Sequence, residues 1–230
     1  MTEPALDRRA LLGVAALAAA AATVPAQAQP AAPGGFTPQP LPFDPKAVPG
    51  LSEKLLVSHH DNNYVGAVKR LGAIRAEFGK LDPATAPVFA INGLKREELL
   101  AWNSMILHEV YFAGLGAAMA PSALLAQALE RDFGSHDRWA AEFSAMGKAL
   151  GGGSGWVLLT WSPHDRRLVN TWASDHTQTL AGGTPLVALD MYEHAYHMDY
   201  GAKAAAYVDA VMKVLSFGRA NEMFKRAGGA

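Results

Sequence analysis

At Gly151-Gly152-Gly153-Ser154-Gly155 the hydrophobic pattern of this chain changes period, so the fold must join a helical half to a sheet. Upstream, Leu55, Leu56, Val65, Val68, Leu71 and Ile74 recur at helical spacing and predict one helix over 52–78, with Ser52 as N-cap and Gly79 at its end. A proline-containing connection at 82–87 leads to a second long helix over 96–115, and the two make a hairpin. Shorter helices follow at 122–133 and 138–150, separated by a turn at 134–137. Downstream of the glycines, 156–161, 167–173 and 185–189 are β-branched, aromatic and apolar runs separated by turn residues, with Pro163-His164-Asp165 as a hairpin turn. Helices at 204–215 and 219–225 close the chain. The expected class is α+β: an N-terminal α-helical hairpin, then an α/β domain with a three-stranded antiparallel sheet. A phosphate-binding loop would end in lysine and Ser/Thr. Here Trp156 follows instead, so the glycine run reads as a tight turn where backbone approaches closely rather than as a nucleotide loop.

The start of the chain has a different character. Arg8-Arg9 precedes an alanine-rich apolar run and the small-x-small site Ala26-Gln27-Ala28, the pattern of a twin-arginine-type export signal over 1–28. The competing reading is an uncleaved anchor or a disordered tail, but the run is short and alanine-rich for a membrane span. Residues 29–45 are rich in proline, glycine and alanine and read as a linker. The remaining segments are expected as a helical hairpin domain, 46–120, and an α+β domain, 121–230. On this reading the protein is exported to the periplasm, with no membrane contact in its mature form. The chain has no cysteine, which excludes disulfides, thiolate metal sites and cysteine nucleophiles. A net charge of −1 with scattered basic residues gives no nucleic-acid surface.

Chemistry concentrates at one strand end. Leu186-Val187-Ala188-Leu189 runs into Asp190, and a carboxylate there needs compensation. His194 lies four residues on and returns to the same point if the chain turns into a helix. A hard oxygen ligand beside an imidazole suits iron or manganese. His59 and His60 lie on the first predicted helix and His108 on the second. A lone histidine on an apolar helix face is more often a hydrogen-bonded core residue than a ligand. Two such helices beside a strand-end Asp/His pair make His59, His108, Asp190 and His194 a candidate set that leaves a position for solvent or substrate. Other motifs fail. His108-Glu109 lacks the second histidine of a zinc protease, because Phe112 stands at i+4. No paired Glu-x-x-His motifs support a di-iron bundle. Ser154 precedes a strand and lacks the final glycine of a nucleophile elbow.

Four segments, in order, resemble the iron/manganese superoxide dismutase family. They are Leu51-Ser52 through His59, the helix around His108, the block from Asp132-Phe133-Gly134-Ser135 to Gly153-Ser154-Gly155-Trp156, and Asp190-Met191-Tyr192-Glu193-His194-Ala195-Tyr196. The resemblance covers about residues 40 to 225. It implies His59, His108, Asp190 and His194 as ligands of one iron or manganese ion per subunit, with His60 pointing elsewhere. It implies superoxide as substrate and dioxygen and hydrogen peroxide as products. Trp156 and Tyr192 would wall the site, and Glu193 would cross a homodimer interface to the partner's fourth ligand.

The departures from the family lie around the ligands. The gateway tyrosine aligns with Ala67, and Tyr64, one turn earlier, is the expected substitute for its hydroxyl. The histidine beside the gateway becomes Asn63, and its partner across the interface becomes His197. The family's solvent-bonding glutamine falls at Ser104 or near Ser174, neither a glutamine, and His176 is the candidate for that role, an exposed turn histidine being the other reading. Two functions follow from this mixture. One is an exported superoxide dismutase; the other is a metal-binding relative with weak or no dismutase activity and a structural or interaction role.

Overall fold

The computed structural model of the chain describes residues 36–228. The expected export signal, and the expected linker up to residue 35, lie outside these. The rest of that linker, 36–45, lies against the helices, because Phe36, Leu41 and Phe43 pack on the core. Arg75 is held between the Phe36 and Trp102 rings, 4.7 and 4.3 Å from their centroids. This segment is a strap with its own apolar anchors, not a solvated spacer.

The first helix is not uniform. Ser52 caps it as expected, its hydroxyl accepting from the Leu55 N–H at 3.0 Å. α1 (Glu53–Ser58) then widens into a π-helical turn, His59–Tyr64, before α2 (Val65–Phe78) resumes the ordinary period. A π-turn rephases the side chains that follow it and occurs mostly at functional sites; the spacing of apolar residues did not reveal it. α3 (Val88–Ala113) begins eight residues earlier than the periodicity predicts. Its first residues, Val88 and Phe89, are exposed apolar side chains, so the amphipathic pattern starts late. α2 and α3 form the expected hairpin.

α4 (Ala123–Phe133) is capped by Ser122 and ends on Gly134 in the left-handed region, φ 88°. α5 (His136–Ala149) takes in residues expected in the turn, because Ser135 caps it and accepts from the Arg138 N–H. Three antiparallel strands follow, β1 (Trp156–Ser162), β2 (Arg167–Ala173) and β3 (Thr184–Asp190), in the order β2-β1-β3. Every residue of the central strand β1 is buried, which explains its continuous apolar run. Asp190 pairs with Trp156, so the end of β3 meets the start of β1. A 3₁₀ turn, Glu193–Ala195, and the short α6 (His197–Tyr200) lead to α7 (Ala204–Val214) and α8 (Gly218–Arg226). No helix among the described residues is long and apolar enough to cross a membrane.

The glycine run performs the close approach its composition suggests. Gly155 has φ 131°, and a Cβ there would stand 2.0 Å from the Ala173 carbonyl oxygen. Its own carbonyl accepts from the Met191 N–H at 2.9 Å, which ties the start of β1 to the residue after Asp190. Strain at such a φ costs about 1–3 kcal/mol before any clash. Gly155→Ala is therefore expected to lower the unfolding free energy by at least about 3 kcal/mol in urea titrations, with a matching loss of metal affinity.

Candidate metal centre

Four side chains from four parts of the fold converge. His59 comes from the π-helical turn, His108 from α3, Asp190 from the end of β3 and His194 from the 3₁₀ turn, and their donor atoms lie within 4.8 Å of one another. The focus is Asp190 Oδ2, with the Nε2 atoms of His59, His194 and His108 at 3.1, 3.2 and 3.5 Å. The other carboxylate oxygen, Oδ1, accepts from the Tyr192 N–H at 2.9 Å. The Asp190 backbone carbonyl accepts from the buried Tyr207 hydroxyl at 2.8 Å, and that hydroxyl also meets Tyr111 at 3.2 Å. Asp190 is thus fixed through three separate atoms. Tyr111 and Tyr207 were not anticipated as supports, although a buried tyrosine needs a hydrogen-bond partner for its hydroxyl.

The donor chemistry fits a cation. His108 Nδ1–H donates to the Ser104 carbonyl, four residues back, at 2.6 Å. A neutral imidazole carries one proton, so His108 Nε2 presents a lone pair toward the carboxylate. His108 Nε2 and His59 Nδ1 are buried and find no hydrogen-bond partner. Lone pairs crowd one carboxylate oxygen with too few protons to join them, and a divalent or trivalent metal resolves that conflict. Burial pushes His59 below its usual range and His108 down to about 3, so both rings are neutral ligands at pH 7. For Asp190, burial would raise the pKa. The charge and hydrogen bond of His194 and the hydrogen bond from His59 outweigh it and hold the carboxyl below the usual carboxylate range.

Aromatic rings enclose the centre. Trp156 stands edge-on to His108, with centroids 5.3 Å apart, and Tyr192 is layered between His194 at 5.3 Å and His176 at 4.8 Å. Phe112 closes another side, 5.0 Å from the His59 ring. His176 reaches the site and is not an exposed turn residue: its ring lies 6.1 Å from that of His108. The Trp156 indole N–H donates to His176 Nδ1 at 3.0 Å. That bond places the proton of neutral His176 on Nε2, and burial lowers its pKa, which keeps it neutral. Asn103 Nδ2 fixes the His176 backbone, donating to its carbonyl at 2.6 Å.

A cavity of about 320 Å³ opens onto His108, His176 and His194 and is bordered by Asn63, Ala67 and Arg70. Tyr64 is not part of it, which corrects the expectation that this residue supplies the gateway hydroxyl. Tyr64 is buried elsewhere. Its hydroxyl accepts from the Gln39 N–H at 2.9 Å and donates to Glu109 at 3.0 Å. The helix turns Tyr64 away from the face that carries Ala67, so the mouth has no tyrosine. Arg70, which sequence reasoning did not single out, puts a guanidinium at this mouth, paired with Glu97. His60 points away from the centre as expected, with Nε2 2.8 Å from the Gln39 carbonyl and Nδ1 2.7 Å from Asp61. Glu193 and His197 are both exposed, and neither side chain has a hydrogen-bond or ion-pair partner within the chain among the described residues.

Known proteins are similar to this chain in sequence along most of their length. Residues 121–223 match the family model for iron/manganese superoxide dismutases, C-terminal domain. Over 189 residues the chain is 67% identical to a superoxide dismutase [Fe] of Cupriavidus metallidurans, covering 82% of this chain and 96% of that protein. The chain belongs to the iron/manganese superoxide dismutase family. Two further dismutases share less of the sequence. A superoxide dismutase [Mn] of Halobacterium salinarum is 32% identical over 192 residues, with 82% of this chain and 94% of the relative covered. A superoxide dismutase [Fe] of Aquifex pyrophilus is 31% identical over 191 residues, with 80% and 88% covered. The site is one for a single iron or manganese ion.

Two outcomes test the centre. His59→Ala, assayed by elemental analysis and metal competition, should weaken metal binding beyond the roughly 10–100-fold that loss of an outer-shell partner produces. In the metal-free protein, His108 binds its proton near pH 3 when folded and near 6.5 when unfolded. Between those values the unfolded chain holds more protons. Stability from this group is therefore complete above about pH 6.5 and falls as the pH drops toward 3; the lowered Asp190 acts in the same direction at still lower pH. Denaturant midpoints of the metal-free protein measured from pH 8 to pH 4 should show that decline.

Proposed function

We infer that the chain disproportionates superoxide to dioxygen and hydrogen peroxide at one mononuclear iron or manganese centre held by His59, His108, Asp190 and His194. The observation that carries this reading is the convergence of three imidazole Nε2 atoms on Asp190 Oδ2, beneath a polar cavity sized for small molecules, in a member of a dismutase family. When bound, the metal supplies alternation between trivalent and divalent states. The remaining work falls to the chain's own residues. Asp190, ionised in a fully buried position, favours the higher charge, and neutral His59 and His108 temper it. Trp156, Tyr192 and Phe112 exclude bulk water. His176, with Nδ1 occupied by the indole and Nε2 bearing the proton, is the donor we assign to substrate and solvent in the cavity, where the family usually has glutamine. Asn63 and Ser104 supply further polar groups there. This reading is favoured over a metal-binding protein without catalysis, because the cavity retains a proton donor despite Ala67.

The finer assignments are also ours. The 67% identity to a protein named as an iron enzyme favours iron. The unpaired, exposed Glu193 and His197 support a homodimer in which Glu193 bonds the partner's fourth ligand. Arg8-Arg9 and the apolar run after it support twin-arginine export to the periplasm.

The test is superoxide consumption by protein purified from the export compartment and reconstituted separately with iron and with manganese; activity no greater than that of free metal in both forms rules out the enzyme reading. His176→Phe should lower the maximal rate by about 100-fold or more, with metal content intact, and His176→Gln should recover part of it. The substrate is an anion, and Arg70 is the cation bordering the cavity. Arg70→Glu should cut kcat/KM about tenfold at low salt and remove the fall of rate with ionic strength, while leaving the saturated rate unchanged.

A further inference from the structure

A second cavity, of about 180 Å³, lies between the strap and the helices. Phe112 lines it and also packs against His59, but none of the four metal ligands lines it. Its walls are apolar: Pro40, Leu41 and Pro42 from the strap, Phe112 and Ala113 from α3. Five polar residues also line it: Gln39 and His60, whose side chains already bond the Thr37 and Gln39 carbonyls, and Tyr64, Glu109 and Arg219. Tyr64 donates to Glu109, and burial pushes its hydroxyl up to about 12, so it remains a hydroxyl at physiological pH. Among the described residues, Glu109 has this hydroxyl as its side-chain partner and no cation within ion-pairing distance. Arg219, in the first turn of α8, borders the same cavity; its Nε is buried and makes no hydrogen bond, and among the described residues no carboxylate pairs with it.

A guanidinium keeps its charge, and a buried N–H without an acceptor carries the full desolvation penalty of an unmade bond. What Arg219 lacks is an anionic oxygen, which the N-terminal end of α8 also favours. What Glu109 lacks is a cationic donor. The two opposite charges border one cavity without meeting each other, and an apolar wall lies beside them. We propose that this cavity binds a small zwitterion, an α-amino acid with a short apolar side chain. Its carboxylate bonds Arg219, its ammonium bonds Glu109, and its side chain packs on Pro40, Leu41, Pro42 and Phe112. The size agrees: a cavity of about 150 Å³ accepts a six-carbon ring, so this one suits about eight heavy atoms. Because three strap residues form the wall, the bound amino acid fastens the strap to the hairpin.

The test is calorimetric titration of the full, metal-loaded chain with L-valine, L-proline and L-leucine, with isobutyrate and isobutylamine as single-charge controls. At least one amino acid should bind one per chain with Kd about 1 mM or tighter, and each control at least tenfold more weakly. Arg219→Gln should abolish that binding with metal content and dismutation rate unchanged. Glu109→Gln, which keeps an acceptor for Tyr64, should weaken amino-acid binding but not isobutyrate binding, and it tests the same cavity if Arg219→Gln fails to fold. Absence of binding by all three amino acids, isobutyrate binding as tightly as they do, or undiminished binding to both variants overturns the proposal.

Discussion

A fully buried, ionised carboxylate is the constraint on which this molecule is organised. Asp190 has no exposed surface, and an ion removed from water loses several kcal/mol of solvation unless its surroundings return it. Here His59, His108 and His194 reach its Oδ2, the Tyr192 N–H reaches Oδ1, and the Tyr207 hydroxyl holds its carbonyl. The partners come from the π-helical turn, α3, the turn that follows β3 and α7. The strand must end where two helices and a 3₁₀ turn meet it, and Gly155 must let β1 start within contact of β2 and hold Met191. The sheet, the hairpin and the following turn are therefore mutually positioned by one charged group and the metal it shares with three rings.

Around that centre the protein uses packing to set proton positions. The indole of Trp156 fixes the tautomer of His176, and the Ser104 carbonyl fixes that of His108. Layering of His176, Tyr192 and His194 keeps the rings parallel, with interplanar angles of 11° and 12°. These contacts let a histidine far from the ligands in sequence present one N–H to the cavity. On the function we propose, they also account for Ala67 at the mouth, with the proton donor assigned to the loop after β2 rather than to the first helix.

Much of the fold was readable because the apolar residues are regularly spaced. The three strands and the later helices appear in the sequence nearly at their true bounds, since serines cap α1, α4 and α5 and turn residues separate the strands. The misplacements have physical causes. Exposed Val88 and Phe89 break the amphipathic pattern at the start of α3, and Phe36, Leu41 and Phe43 anchor a segment whose prolines suggested a spacer. The π-helical turn at His59–Tyr64 leaves no mark in composition, yet it sets which way His59 and Tyr64 face.

By itself, the sequence determined the family and the candidate ligands. An aspartate closing an apolar strand, a histidine four residues on and two helical histidines are chemistry written in residue type and spacing. Tertiary structure alone decided the roles of the neighbours. Tyr64 went to Gln39 and Glu109 instead of the mouth, His176 came in from a loop to meet Trp156, and Arg70 and Arg219 each came to border a cavity. The reason is geometric. Ligands must sit at one point, and that demand leaves a spacing in the sequence; the direction of a single hydroxyl or guanidinium depends on helix phase and on contacts between segments far apart in the chain.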